Sequence, residues 1–99
     1  MRKLYVLIDD ALEPVYGSVQ GGHAAAQWLI EHPNQKWNNS YLIYLYANIG
    51  EWKQKLIYRG IDFSEFYEPD LGGKCTALAI ENDGKIFRKP KTLKVCGEL

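Results

Sequence analysis

Cysteine is nearly missing from this chain: Cys75 and Cys96 are the two it has in 99 residues, with no CxxC spacing and no clustered histidine beside them. That scarcity excludes a disulfide-built scaffold and predicts reduced thiols in the cytoplasm, or in the host cytoplasm if the protein is viral. Long apolar runs are missing as well. None approaches the ~20 residues that span a bilayer, and Met1-Arg2-Lys3 leads into a strand-like run, so no membrane partner is expected. Net charge is absent too, because twelve basic and twelve acidic residues cancel. Proteins that hold long stretches of nucleic acid usually carry a basic excess, since phosphate contacts supply much of their affinity. The one local excess is Lys85, Arg88, Lys89, Lys91 and Lys94, near the end of the chain. Such a strip is more often a solvated face than a nucleic-acid patch.

What is present is enough apolar and aromatic material for a single core. The length implies one domain, residues 1–99, burying roughly 65% of its unfolded surface. Lys3 to Asp9 is an apolar run of strand formers. Asp9, Asp10 and Glu13 follow it in a turn. Three carboxylates so close could ligate a hard cation, but without further ligands at loop spacing a solvated turn is the better reading, and no metal is expected. Pro14 sits where a helix can start, and the helix should run to about His32, where Pro33 stops it. Ser40 to Ala47 reads as a second strand. Asn48 can cap a second helix reaching about Arg59, with Ile49, Trp52 and Leu56 as its buried stripe and Gly60 just past its end. Ile61 to Tyr67 reads as a half-exposed strand. Glu68-Pro69-Asp70-Leu71-Gly72-Gly73 is a loop whose glycines allow close backbone approach, and Cys75 to Ile80 is a short buried strand. The order strand, helix, strand, helix, strand, strand predicts an α/β sandwich of two or three layers around a mixed four-stranded sheet.

The first helix concentrates the candidate chemistry. Tyr16, Gln20, His23 and Gln27 fall at i, i+4, i+7 and i+11, on one face. Val15, Val19, Gly22, Ala26 and Leu29 form a neighbouring apolar stripe suited to packing on a sheet. Gly21 and Gly22 inside a helix each cost about 1 kcal/mol relative to alanine, which points to a close approach there by a strand or by a ligand. The alternative is a tightly packed core helix whose histidine and glutamines satisfy neighbouring backbone groups.

Gln20-x-x-His23-Ala24-Ala25, followed by Glu68-Pro69-Asp70-Leu71-Gly72 and Thr76-Ala77-Leu78-Ala79, resembles the type 2 peptidyl-tRNA hydrolase family, most closely its short bacterial and phage versions. The resemblance covers nearly the whole chain and implies that family's fold. It also implies a metal-free activity without cofactor: cleavage of the ester between a peptide and the tRNA 3′ end. The family's helix motif places a lysine seven residues before the histidine, and that position here is Tyr16. Tyrosine keeps a hydroxyl donor but, with a pKa near 10, brings no positive charge at neutral pH.

Two functions are therefore expected in competition. As an ester hydrolase, the chain would use His23 or Asp70 to orient water, with Gly72, Gly73 and Thr76 as donors to the oxyanion. As a binding module, the same cleft would sequester a nucleotide-like ligand uncleaved. Tyr16 would then stack on the base, Gln20, His23 and Gln27 would hydrogen-bond it, Asp70 would hold a ribose hydroxyl, and Gly72 and Gly73 would let it approach. Neutral charge and the missing lysine favour binding; in a phage the ligand would be a host signalling nucleotide. Family members are usually dimers, and Trp37, Tyr44, Tyr46 and Trp52 are more aromatics than one small core easily hides, so a homodimer is expected.

Overall fold

The computed structural model describes residues 2–87 and the backbone of residues 94–95. The basic cluster beyond Lys85, and Cys96, lie outside the described side chains. Strand β1 (Lys3–Asp9) leads into helix α1 (Pro14–Glu31), then β2 (Leu42–Ala47), helix α2 (Ile49–Tyr58), β3 (Ser64–Glu68) and β4 (Lys74–Asn82). A two-residue strand, β5 (Lys94–Val95), adds to the edge of the sheet. The four main strands are those expected from the sequence, and the spatial order is β3-β4-β1-β2-β5. β1 and β2 are parallel, as a helical crossover requires, and β4 runs antiparallel to both β1 and β3. β3 therefore points the same way as β1, and the C-terminal ends of β1, β2 and β3 meet at one end of the sheet.

The sheet is covered on both faces, which decides for three layers. One face packs Tyr5, Leu7, Leu45, Leu78 and Ile80 under α2 through Trp52 and Leu56. The other packs Leu4, Val6, Ile8, Ala77 and Ala79 under α1 through Ala24 and Trp28, with Trp37 closing one end. β1 alternates strictly between the two clusters, which is why its sequence reads as an unbroken apolar run. The aromatics expected to overfill the core are accommodated: Trp37 and Trp52 are buried, and Tyr44 and Tyr46 are partly buried against the α1-side cluster. The argument for a dimer from those four residues fails. No helix among the described residues is long and apolar enough to cross a membrane.

α1 packs by a different stripe from the one its apolar residues suggested. Its buried residues are Gly17, Gln20, Gly21, Ala24 and Trp28, while Val15, Val19 and Leu29 are exposed and so are Gly22 and Ala26. The reason is distance. A Cβ on Gly21 would lie 2.9 Å from a ring carbon of Tyr44 and 3.0 Å from Ile8 Cδ1, and one on Gly17 would lie 3.0 Å from Ile8 Cγ2. The close approach at Gly21 is thus made by strands. A Cβ on Gly22 would meet nothing nearer than the Tyr44 hydroxyl at 3.9 Å, and this glycine faces outward.

Candidate functional site

α1 and β3 run antiparallel across the edge of the sheet, joined by pairs of side chains. Glu31 accepts from Ser64 Oγ at 2.5 Å near the far end, and His23 stacks on Phe66 in the middle, with ring centroids 4.3 Å apart and planes 7° from parallel. At the near end Gln20 donates from Nε2 to Glu68 Oε1 at 2.9 Å. Ser64, Phe66 and Glu68 alternate along β3 toward the helix, although a bulge between Phe66 and Tyr67 shifts the register with β4.

Glu68 is the centre of this arrangement and carried no role in the sequence reading. Its side chain is about nine-tenths buried. Oε1 accepts from Gln20 and, at 3.5 Å, from the Tyr16 hydroxyl; Oε2 accepts from the backbone N–H of Asp70 at 3.4 Å. The Gln20 hydrogen bond, against the opposing effect of burial, holds the carboxyl below its ordinary pKa; the Asp70 amide, the His23 ring and the Tyr16 hydroxyl add to the pull. The same carboxylate acts on Tyr16. Partial burial first, then the nearby Glu68 and Asp70 charges, push the phenol above its ordinary pKa, so it remains a neutral donor.

Gln20 is fully buried and engaged at both ends, because its Oε1 accepts from the Thr76 hydroxyl. Thr76 is fully buried on β4. Gln20 therefore positions Glu68 and fixes β4 to α1. His23 is exposed on the helix, beside this network. Gln27 is turned away from it and donates to Glu31 at 2.9 Å.

The loop after β3 is a turn of 3-10 helix, Pro69–Leu71, capped by the Glu68 carboxylate. Gly72 and Gly73 close it with φ of +67° and +80°. A Cβ on either would meet nothing within 4 Å of the protein's own atoms, so within the chain the glycines serve a left-handed backbone conformation. Their N–H groups are occupied, Gly72 donating to the Pro69 carbonyl at 3.1 Å and Gly73 to the Glu68 carbonyl at 3.0 Å. With the Thr76 hydroxyl bound to Gln20, all three expected oxyanion donors serve the fold. Asp70 is exposed on the turn, near enough to Tyr16 to influence it.

The turn after β1 also differs from expectation. Asp9 is buried, pairs with Lys74 Nζ at 2.9 Å and accepts from the Ala11 N–H at 2.9 Å. Glu13 caps α1 by accepting from the N–H groups of Val15 and Tyr16. These carboxylates thus have structural partners. Asp9, Glu68 and Lys74 all stand at the end of the sheet where β1, β2 and β3 terminate, the end where open α/β sheets commonly hold ligands.

At the opposite end of the sheet lies a cleft of about 570 Å³ lined by Arg2, Trp28, His32, Gln35, Asp62 and Glu81 among others. There His32 stacks on Trp28 at 3.6 Å and bonds Asp62 Oδ2 through Nε2 at 2.6 Å.

No family model matches the chain, and no curated protein does. Among solved structures, the chain is similar to Atu0240, a protein of unknown function from Agrobacterium tumefaciens, at 14% identity with a TM-score of 0.67, over 95% of this chain and 96% of that one. A likeness at this identity is one of fold.

Proposed function

We propose that the protein binds a nucleotide-like small molecule without cleaving it, in a peptidyl-tRNA hydrolase-type cleft formed between α1, the end of β3 and the turn that follows. The observation that carries this reading is the ionised, mostly buried Glu68 carboxylate lying beside an exposed aromatic stack. A carboxylate with two oxygens held by neutral donors retains lone pairs for the paired hydroxyls of a ribose. The outer face of His23, already parallel to Phe66, offers a platform for a base, and stacking of this kind is worth about 1–3 kcal/mol per base. Tyr16 supplies a neutral hydroxyl at the same place, and exposed Asp70 a second acceptor.

Ester hydrolysis is the competing reading and rests on the motif resemblance. Two features weigh against it. A general base works best with a pKa near the operating pH, and Glu68 is pulled away from that range. The donors nominated for an oxyanion are engaged elsewhere. Membership of the type 2 peptidyl-tRNA hydrolase family remains part of this proposal and supplies the frame for the cleft.

The test is equilibrium binding of adenosine 5′-monophosphate and 5′-diphosphate by calorimetry, alongside cleavage of a peptidyl-tRNA mimic. Wild type is expected to bind a nucleotide and leave the ester intact, with Glu68→Gln and His23→Ala each weakening binding tenfold or more. Turnover of the ester that Glu68→Gln abolishes would instead establish the hydrolase; neither binding nor turnover would overturn both readings.

A further inference from the structure

The cleft at the end of the sheet away from Glu68 contains two polar atoms that the fold leaves unmet. Trp28 is only 5% exposed, and its indole Nε1–H has no acceptor among the described residues. Gln35 lines the same cleft, and its Oε1 is buried without a donor. Buried polar groups nearly always find partners, so an orphaned donor and an orphaned acceptor in one cavity call for an explanation. His32 ties the two residues together. Its ring stacks on Trp28 at 3.6 Å, and its carbonyl accepts the Gln35 N–H at 3.1 Å. No hydrogen bond to a described residue holds the Gln35 side chain, so its amide is free to turn toward the cleft.

The charges on the cleft wall are cancelled in pairs. Arg2 donates from Nε to Glu81 Oε2 at 3.2 Å and from Nη2 to the Glu81 carbonyl at 3.0 Å, while Glu81 Oε1 accepts from the Trp37 N–H. Both His32 nitrogens are engaged too, Nε2 with Asp62 Oδ2 at 2.6 Å and Nδ1 with the Trp28 carbonyl at 2.9 Å. Lys36, a further cation lining the cleft, is exposed. What the buried wall leaves on offer is neutral: one N–H, one C=O, and the apolar surface of Ile61 and Pro33 beside them.

We propose that this cleft is a second binding site, for a small neutral molecule bearing a lactam or imide edge. Such an edge carries a carbonyl and an N–H side by side. The carbonyl accepts from Trp28 Nε1 and the N–H donates to Gln35 Oε1, so one group satisfies both orphans. A purely apolar molecule satisfies neither, and an ion finds the countercharges of the wall already engaged. The volume, about 570 Å³, lies within the range of small-molecule pockets, which combine apolar lining with a few placed polar groups. This inference is independent of what the Glu68 site binds.

NMR titration with δ-valerolactam tests it, with cyclohexanone as the same ring and carbonyl lacking the N–H. Wild type is expected to bind the lactam with dissociation on the order of millimolar, as suits a fragment. The Trp28 indole N–H resonance should move downfield and saturate, while that of Trp52, on the other face of the sheet, stays in place. Cyclohexanone is expected to bind about tenfold more weakly, and Gln35→Leu to weaken the lactam by about the same factor. Gln35→Leu breaks no side-chain bond within the described fold, so its Tm should match wild type. Glu68→Gln should leave lactam affinity unchanged, which separates this site from the other. Absence of a saturable Trp28 shift overturns the proposal, the two orphans then being met by water or by each other. Equal affinity for cyclohexanone, or undiminished lactam binding by Gln35→Leu, overturns it as well.

Discussion

Gly21 and Gly22 are adjacent on one helix, and alanine at each is predicted to act with opposite sign. Both substitutions gain the same backbone contribution, about 0.5–1 kcal/mol, because glycine loses more conformational freedom on folding. At Gly22 nothing opposes the gain, since the new methyl meets only the Tyr44 hydroxyl at 3.9 Å. At Gly21 the methyl would lie 2.9 Å from Tyr44 Cε2 and 3.0 Å from Ile8 Cδ1. Ile8 is fully buried and Tyr44 presents two ring carbons to the same point, so α1 must lift or both side chains must shift. Overpacking of this kind costs about 1–3 kcal/mol, more than the backbone gain. Gly22→Ala should therefore raise Tm and Gly21→Ala should lower it, each by roughly 4–8 °C per kcal/mol in a domain of this size. Urea denaturation reads both. Equal stabilisation by the two alanines would refute the tight seating of α1 on β1 and β2, and with it the placement of Gln20 against Glu68.

Three further outcomes follow from the same contacts. Gln20→Leu should destabilise the fold by about 1–3 kcal/mol, because the buried Thr76 hydroxyl loses its acceptor, with Thr76→Val in the same chain recovering part of that loss in a denaturation cycle. His32 has its pKa raised: burial favours the neutral ring, but the Asp62 carboxylate and the Trp28 carbonyl outweigh it. A raised folded pKa gives stability that is full below the unfolded value, near 6.5, and is lost as pH rises through the folded value. NMR titration should therefore place His32 above 6.5, and Asp62→Asn should flatten the loss of stability on that alkaline side. Burial pushes the Cys75 thiol up to about 11, so in a Cys96→Ser background iodoacetamide at mildly alkaline pH should leave the native protein unmodified and label it in urea.

The fold was legible in the sequence because its signals are local. Asn48 caps α2 by accepting from the Glu51 N–H, Pro14 opens α1, and Ile49, Trp52 and Leu56 bury as their spacing indicates. Apolar spacing failed on α1 for a reason that is not local. The stripe of Val15, Val19 and Leu29 looks like a core face, yet the sheet selects Gly17, Gly21 and Ala24, since only small side chains let the helix sit that close to Ile8 and Tyr44. That choice leaves the larger apolar residues outside and brings a glutamine to the centre. Among the candidate residues, the motifs point to His23 and Asp70 and helical spacing points to Tyr16, whereas neither singles out Glu68 from its neighbour Asp70. The available clue was strand alternation: Ser64, Phe66 and Glu68 share the face turned to α1, while Asp70 lies beyond the strand end on an exposed turn. The engagement of Gly72, Gly73 and Thr76 in the fold could not be read in sequence, because it depends on which carbonyl or amide each donor meets.

The most direct test of the account follows the His23 ring and the Gln20 side-chain amide by NMR while adenosine 5′-monophosphate is added. The account predicts that both resonances move together and saturate, and that Glu68→Gln removes the response while leaving the rest of the spectrum native. Saturable shifts confined to Trp28, His32 and Gln35 at the opposite cleft, or no shifts at any nucleotide concentration, would contradict it.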